Sequence, residues 1–350
     1  MEIDIKKYGI EIHCTVNDEH DYDYIVKKFN KYITGGNNER SIKGCHYNLE
    51  VKNDEKIWDI FDNKKTYSYK MFHCCPAEYM IYKSAYYIKC NTEFANYILG
   101  VELFENNVVI YRKNTDEHDN RRYIFNIICE IFSVVSYFNG YMKMHAALFD
   151  YNSKGYVVWG EKKSGKTTLM MDLIFNGAKL VNNDVTRIVH NRKENALYGY
   201  EWIERVNIGK RTILDNVKLL NKLESAGILN GNNYNIQTAK YEFYKCDIDE
   251  FRYSQESIVI KGIVIPHFDI NCSQCLINRR RKKITSAVLS MLKSTWLPIV
   301  STNEIELQDD IYARYDFGCE LDIYEIWYGP NTTEPAKKLL ILLTKGENKK

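Results

Sequence analysis

Apolar residues recur along the chain in two patterns, and together they predict a protein of mixed helices and strands. Helical spacing of apolar residues marks a segment from Tyr24 to Tyr32 and a longer one from Ile124 to Phe138. Short β-branched and aromatic runs predict two strands within residues 3–16 and a mostly antiparallel sheet from about Ile42 to Tyr111. The first third of the chain is therefore predicted to be sheet-rich, and we assign it to a separate domain at residues 1–118.

From Met142 onward the pattern changes to strands that alternate with helices, which is typical of an α/β domain. We assign residues 119–345 to this domain and expect an α/β chain (α+β overall). Its first elements are predicted as strands at Met144–Phe149, Gly155–Trp159 and Ala178–Val181, with a helix at Thr168–Phe175. Later elements are predicted as strands at Arg187–His190, Leu197–Tyr200, Ile258–Ile265 (ended by Pro266) and Asp322–Trp327, and as helices at Asp215–Glu224, Ile284–Leu297 and from about Pro335.

A glycine-bounded loop lies between the strand at Gly155–Trp159 and the helix that follows it. Its residues Gly160–Thr167 read GEKKSGKT and fit the pattern G-x-x-x-x-G-K-[ST], in which backbone N–H groups surround the phosphates of a nucleotide. In this pattern Lys166 reaches the β- and γ-phosphates and Thr167 binds Mg²⁺. The predicted nucleotide-binding residues are Gly160, Lys162, Lys163, Ser164, Gly165, Lys166, Thr167 and Thr168. A turn that binds no nucleotide is the alternative.

An acidic residue follows the next predicted strand. A strand–helix–strand unit of this length forms a parallel crossover, so both strands end at the same edge of the sheet. Asn183 and Asp184 therefore emerge beside the phosphate loop, at the edge where open α/β sheets bind ligands. We predict that Asp184 holds the metal ion or polarises an acceptor hydroxyl; an Asx turn at the strand end is the alternative.

Composition narrows the possible partners. The net charge of +2 gives no overall field for nucleic acid or an anionic membrane, so neither is an expected partner. The chain opens with charged residues at Met1–Lys6 and shows no signal segment, and the apolar stretch from Tyr123 to Tyr141 is interrupted by polar residues. Ten cysteines then indicate free thiols in a reducing cytoplasm.

The span from His145 to Asp184 resembles the catalytic module of HPr kinase/phosphorylase and its stand-alone relatives, such as lasso-peptide kinases. The shared layout consists of His145-Ala146-Ala147, the loop Gly160–Thr167, and Gly177–Asp184. A looser similarity extends over roughly residues 121–343. HPr kinase carries two consecutive aspartates where this chain has Asn183-Asp184, and the form with asparagine first is similar to that of the stand-alone relatives.

The resemblance implies a P-loop module of the HPr-kinase/PEP-carboxykinase type that uses ATP and Mg²⁺. It implies catalytic roles for Asp184, Lys166 and His145, with His145 assisting proton transfer or orienting Asp184. The expected reaction is phosphoryl transfer to a serine or threonine hydroxyl of a small protein or peptide. The resembling enzymes form oligomers, which makes a homo-oligomer possible. Two alternatives stay open: a nucleotide-binding regulatory or scaffold protein with little transfer activity, and a kinase of a small molecule.

Several other residues are weaker candidates. The resemblance suggests a second metal ligand at Glu201 or Glu204, and Arg205 and Arg211 are possible phosphate contacts, with surface charge as the alternative. Cys272 and Cys275 have the spacing of metal ligands, but no second pair accompanies them, so free thiols are preferred. The basic run Arg279–Lys283 is interpreted as a solvated helix start rather than a site for an acidic partner.

Overall fold

The computed structural model of the chain describes residues 1–7, 9–33, 46–70, 76–92, 95–102, 106–112, 121–161, 163–202, 205–235, 239–285, 291–292, 316–330, 332 and 334–345. These residues form two compact units, one within residues 1–139 and the other within residues 140–345. Within the described ranges, no helix is both long and apolar enough to cross a membrane.

The first unit contains an eight-stranded mixed sheet in the order β1-β2-β3-β8-β7-β6-β5-β4. Its strands are β1 (Glu2–Lys7), β2 (Ile10–Val16), β3 (His46–Asn53), β4 (Tyr67–Lys70), β5 (Pro76–Tyr82), β6 (Ala85–Thr92), β7 (Ala95–Glu102) and β8 (Asn107–Arg112). The predicted pair of strands in residues 3–16 is confirmed as the antiparallel β1–β2 hairpin. The predicted antiparallel sheet is confirmed for β4 to β8, but β3 pairs in parallel with both β2 and β8.

Three helices accompany this sheet: α1 (Glu19–Phe29), α2 (Glu55–Asp62) and α3 (Arg122–Phe138). Helices α1 and α3 were both predicted by apolar spacing, and α3 ends as expected before Gly140, whose φ of +88° suits glycine. Helix α2 corrects the sequence interpretation, because Asp54 and Asn63 flank it as caps instead of marking turns within a sheet. Its Trp58 and Phe61 are buried against the sheet.

The second unit contains a larger sheet in the order β12-β10-β11-β18-β14-β13-β9-β20, and β21 pairs with β18 and β19. The strands are β9 (Met142–Met144), β10 (Ala147–Tyr151), β11 (Lys154–Val158), β12 (Lys179–Asn182), β13 (Thr186–Asn191), β14 (Ala196–Tyr200), β18 (Ser257–Phe268), β19 (Leu276–Thr285), β20 (Met291–Leu292) and β21 (Asp316–Tyr328). A separate small sheet contains β15 (Arg205–Gly209), β16 (Tyr234–Asn235) and β17 (Lys240–Tyr244).

Strands β11 and β12 have the relation that the sequence predicts. Both are antiparallel to β10, which lies between them, and they are therefore parallel to each other. Helix α4 (Lys166–Ile174) connects them, so the carboxyl ends of β11 and β12 lie at the same edge of the sheet. The described part of the unit also contains the helices α5 (Lys210–Leu214), α6 (Val217–Ser225) and α7 (Pro335–Lys345), and α4, α6 and α7 share one apolar core with the sheet.

The strand predicted at Met144–Phe149 is in fact two strands. Strand β9 pairs with β13, whereas β10 pairs with β11 and β12, so the chain changes pairing partner at His145 and Ala146. His145 therefore lies at a bend between two strands rather than on one strand. In a continuous strand successive side chains point to opposite faces of the sheet, and at this bend the direction of the His145 side chain is not fixed by that rule.

The sequence predicts that Pro266 ends its strand, but the structure shows that it does not. Strand β18 continues through it to Phe268 and pairs there with β21. Val264 accepts a hydrogen bond from Trp159 N at 2.9 Å, so the nitrogen of Pro266, two residues further, points to the same side. Strand β11 has ended by this point, and a proline without an N–H group is therefore tolerated.

The predicted helix Asp215–Glu224 is confirmed as α6, which starts after its cap Asn216: the Asn216 side chain accepts a hydrogen bond from Leu219 N at 3.0 Å. Another predicted helix differs. Of the predicted helix Ile284–Leu297, residues 284–285 belong to β19 and residues 291–292 form β20, while the others lie outside the described residues.

The basic run Arg279–Lys283 lies in β19 and is not the start of a helix. Cross-strand carboxylates of β21 pair with it: Arg279 contacts Asp322 at 2.9 Å, Arg280 contacts Glu325 at 3.2 Å and Arg281 contacts Glu320 at 3.0 Å. Each of these arginines reaches a carboxylate two positions along β21 from the residue directly opposite it, so the basic residues of β19 are paired diagonally with acidic residues of the neighbouring strand. The run therefore gives no support to an acidic partner.

Candidate functional site

The loop between β11 and α4 has the backbone shape that a tight turn into a helix requires. Lys163 and Gly165 both have positive φ angles, of +70° and +91°, and α4 begins at the next residue, Lys166. Ser164 N donates to Glu161 O at 3.2 Å and closes the turn. Lys162 lies outside the described residues. The predicted order of strand, loop and helix is confirmed.

Two glycines of the loop allow close contacts, and Gly165 with its positive φ also allows the turn. A Cβ atom on Gly165 would lie 2.5 Å from Tyr328 Oη and 2.9 Å from Phe268 Cβ, and one on Gly160 would lie 2.8 Å from Ser164 Oγ. Tyr328 Oη also donates to Gly165 O at 2.9 Å. The loop is therefore held against the ends of β18 and β21, and its first and last glycines leave room for no side chain.

Lys166, at the start of α4, lies across the loop. Its Nζ donates to Gly160 O at 2.7 Å and to Glu161 O at 2.8 Å. Partial burial lowers the pKa of Lys166, the charge of Asp184 opposes this effect, and the charge of Lys240 adds to it. The charge of Lys166 on the loop is therefore influenced by that of Asp184, the acidic residue that the sequence placed at the same edge.

Asp184 is held by an amide from the small sheet. Asn207 on β15 donates from Nδ2 to Asp184 Oδ2 at 3.0 Å. Its neighbour Asn183 is 4% exposed and donates from Nδ2 to Asn207 O at 3.3 Å. An aspartate at position 183 could not donate this bond, so the asparagine has a structural role in fixing Asn207 behind Asp184.

The structure brings His145 to the same place. Burial lowers the pKa of the His145 imidazole, and the positive charges of Lys166 and Lys240 lower it further. The Asp184 carboxylate, and a hydrogen bond with the Asp184 backbone, act in the opposite direction. The net effect favours a neutral ring at neutral pH, and a neutral imidazole next to a carboxylate is able to accept a proton.

Lys240, like Asn207, is a residue of this cluster that sequence reasoning missed. It begins β17, which pairs with β15 so that Lys240 lies opposite Gly209. Its charge affects the pKa of both His145 and Lys166. No motif marks Lys240, which is about 56 residues beyond Asp184 in the chain. Only the pairing of the small sheet brings it to the site.

The residues fit a phosphate group and a magnesium ion. Ser164 Oγ is a buried polar atom of the loop that has no hydrogen-bond partner among the described residues, and the loop presents backbone amides at the start of a helix. Thr167 in the first turn of α4 and Asp184 offer oxygen atoms. No group of three or more histidine, cysteine or acidic side chains among the described residues could hold a metal. Mg²⁺ does not need one, since it keeps several waters and commonly uses one or two protein groups.

The weaker candidates are placed elsewhere or lie outside the described residues. Glu201 is buried in an ion pair with Lys245, whose Nζ lies 2.9 Å from Glu201 Oε1 and also donates to Val181 O. Glu204 and the side chain of Arg205 are not among the described residues. Arg211 is exposed on α5 and pairs with Asp215 at 3.5 Å. Cys272 and Cys275 are free thiols, as preferred from the sequence.

Thr168 and Asp172 connect α4 to the helices beside it. Thr168 Oγ1 lies 3.1 Å from Thr212 Oγ1, which places Thr168 against α5. Asp172 accepts a hydrogen bond from Asn216 Nδ2 at 2.9 Å. Burial nevertheless raises the pKa of Asp172 to about 6. The folded chain therefore binds a proton here more tightly than the unfolded chain does.

We expect the substitution Asp172→Asn to stabilise the second unit at neutral pH. Because the folded pKa of about 6 exceeds the ordinary 3.8, the contribution of Asp172 to stability falls as pH rises between these values. Above pH 6 the ionised carboxylate costs about 3 kcal/mol at most, and asparagine removes this cost while still accepting from Asn216. Urea unfolding followed by circular dichroism should show a gain of about 1–3 kcal/mol at pH 7.5 and almost none at pH 4.

The matched control for this substitution is Asp249→Asn, because Asp249 is exposed and forms an ion pair with the exposed Arg252 at 3.2 Å. It should change stability by less than about 0.5 kcal/mol at either pH. An equal gain for Asp172→Asn at pH 4 and pH 7.5 would show that titration of Asp172 is not the cause.

Three comparisons place the chain among known proteins. No model of a protein family matches the chain, and no curated protein does. Among solved structures, the chain is similar to the Hpr(Ser) kinase/phosphatase from Coxiella burnetii, with 13% sequence identity over 58% of this chain and 95% of that chain. The TM-score is 0.27.

Proposed function

We propose that the chain is a kinase of the P-loop type that uses ATP and Mg²⁺ and phosphorylates a serine or threonine hydroxyl of a small protein or peptide. The observation that carries the proposal is the cluster of Lys166, His145 and Asp184 beside a loop whose two glycines admit no side chain. Phosphoryl transfer requires mainly positioning and neutralisation of charge, and this cluster supplies both.

The loop and the residues after it bind the nucleotide in this proposal. Backbone amides of residues 162–166, Ser164 Oγ and Lys166 Nζ hold the phosphates, for which Lys166 exchanges its carbonyl partners Gly160 and Glu161 for phosphate oxygens. Thr167 and Asp184 offer oxygen ligands for Mg²⁺. When bound, MgATP supplies the transferable phosphoryl group and the cation that neutralises its charge. Lys240 adds a second positive charge, which lowers the pKa of His145 and of Lys166.

In this proposal the proton of the acceptor hydroxyl is taken up by Asp184 and His145. Asn207 holds Asp184 Oδ2, so we assign Asp184 Oδ1 to the incoming hydroxyl or to the metal ion. His145, kept neutral by burial and by two lysines, orients the carboxylate and is able to take the proton onward. The single carboxylate is sufficient for this scheme, because Asn183 positions Asn207 rather than binding substrate.

The roles of the other regions are part of the same proposal. Residues 119–345 would form the catalytic domain, and residues 1–118 would recognise the acceptor or mediate assembly. The free cysteines among the described residues are consistent with a reducing compartment such as the cytoplasm.

The test of the proposal is transfer of the γ-phosphate from radiolabelled ATP with Mg²⁺ to a panel of candidate small proteins and peptides. We expect label on serine or threonine of an acceptor, identified by phosphoamino-acid analysis. Label that appears on a metabolite instead, detected by mass spectrometry of a metabolite pool, would establish the small-molecule kinase. Tight ATP binding without transfer to any of these acceptors would contradict the kinase proposal and favour a regulatory or scaffold protein.

A further inference from the structure

Strands β18 and β21 end directly against the phosphate loop, on the side away from Asp184. Phe268, the last residue of β18, donates from its backbone N to Ser164 O at 3.2 Å. Tyr328, the last residue of β21, donates to Gly165 O. In the sheet order, β12 with its Asp184 lies beyond β10 on one side of β11, whereas β18 and β21 follow on the other side.

An aromatic ring is exposed at this second side. Phe268, at the end of β18, is 38% exposed, and its ring makes an edge contact with Tyr328, at 5.4 Å between centroids and 76° between planes. Ile270, two residues further, is 60% exposed. An apolar surface at the carboxyl edge of an α/β sheet, next to a loop that binds phosphates, is where such folds place the rest of a ligand.

The backbone that carries Phe268 is fixed by hydrogen bonds. Asp269 N donates to Tyr328 O at 3.0 Å, and Cys272 N donates to Asp269 O at 3.0 Å. Gly329 lies so close to this turn that a Cβ atom would be 2.3 Å from Asp269 O. The ring of Phe268 is therefore presented by a rigid turn, which reduces the entropy lost when a flat ligand stacks on it.

The direction of a bound nucleotide follows from the two sides of the loop. If the phosphate that is transferred faces Asp184 and His145, the nucleoside must leave the loop on the opposite side, over the end of β18. We propose that the exposed Phe268 ring stacks on the base of the nucleotide and forms the base subsite of this protein. This inference rests on the proposed function, since it requires a nucleotide in the loop.

The experiment compares two ligands that share the phosphates but differ in the base. Isothermal titration calorimetry of the full chain is done with MgATP and with Mg-tripolyphosphate, using wild type, Phe268→Ala and Phe268→Trp. We expect Phe268→Ala to weaken MgATP binding about tenfold and to change tripolyphosphate binding by less than about twofold. Phe268→Trp should bind MgATP at least as tightly as wild type, because tryptophan offers a larger stacking surface.

Leu276→Ala is the control, since Leu276 is also apolar and 60% exposed but pairs with Trp327 and so lies on the other face of the sheet from Tyr328. It should bind both ligands as wild type does. Equal MgATP binding by wild type and Phe268→Ala, with tripolyphosphate bound by both, would overturn the base subsite and leave the proposed function standing. Loss of tripolyphosphate binding in Phe268→Ala, but not in Phe268→Trp, would also overturn it, because the ring would then support the loop. Absence of binding of either ligand to wild type would overturn both proposals.

Discussion

Replacing Asp184 by asparagine is expected to lower the rate of phosphoryl transfer by about a thousandfold while the fold stays intact. Asparagine has nearly the same shape, and its side-chain oxygen can still accept the hydrogen bond that Asn207 Nδ2 donates at 3.0 Å. What it removes is the negative charge beside Lys166 and His145. A neutral amide neither accepts the proton of a hydroxyl nor binds Mg²⁺ well, so transfer should suffer far more than stability.

The same substitution separates the two roles that we left open for Asp184. If Asp184 binds the metal ion, raising the Mg²⁺ concentration should restore part of the lost rate, because weaker binding is offset by mass action. If it accepts the proton of the acceptor hydroxyl, added Mg²⁺ should have no effect, and the defect should be in kcat rather than in KM. Initial rates with a labelled acceptor, measured across a Mg²⁺ series, distinguish the two.

The control for the Asp184 variant is Asp215→Asn, which removes a carboxylate from an exposed pair with Arg211 in the same unit. It should transfer phosphate at the wild-type rate. Equal labelling by wild type and Asp184→Asn would show that Asp184 is not the catalytic group, and the kinase proposal would then lose the residue on which it depends.

The sequence predicts those parts of the site whose residues lie close together along the chain. The loop at Gly160–Thr167 is one continuous segment, and its strand and helix are signalled by adjacent residues. Asp184 could be placed beside it because a strand–helix–strand unit has only one common geometry. The parallel β11 and β12 confirm this reasoning, although β10 lies between them.

Residues that reach the site through pairing of strands far apart in the sequence could not be predicted from local patterns. Lys240 and Asn207 reach the site through the small sheet of β15, β16 and β17, and no local pattern reports which strands will pair. The basic run in β19 was misinterpreted for the same reason, since its acidic partners lie about 40 residues away in β21. Helix α2 was missed because its two caps, Asp54 and Asn63, are residue types that also form turns.

A buried ion cluster in the first unit gives the largest expected effect on stability. Asp21 of α1 is completely buried, and its carboxylate lies 2.9 Å from Arg112 Nη1 and 2.8 Å from Arg121 Nε. It thereby joins α1 to the end of β8 and to the start of α3. Burial raises the pKa of Asp21 in spite of the two guanidinium groups, which partly oppose the shift. The cost of burying the charge is thus not fully recovered by the pairs.

Removing one charge of this cluster and removing all three charges should therefore have opposite effects on stability. Asp21→Ala should destabilise the first unit by about 3–5 kcal/mol, because it leaves two partly buried guanidinium groups without their main partner. Replacing all three residues together, as Asp21→Leu with Arg112→Met and Arg121→Met, should recover most of this loss, because no buried charge is then left uncompensated. Hydrogen exchange of peptides from α1 and α3, followed by mass spectrometry, reports the first unit separately from the second.

Asp4→Asn is the matched control for Asp21→Ala, since Asp4 forms an exposed pair with His13 at 2.7 Å in the same unit. It should change the protection of α1 and α3 by less than about 1 kcal/mol. A triple variant no more stable than Asp21→Ala would contradict the reasoning, because it would mean that the ion cluster stabilises the unit by more than burial costs. The raised pKa of Asp21 argues for the other outcome, because it indicates that the two guanidinium groups do not fully offset the cost of burying this carboxylate.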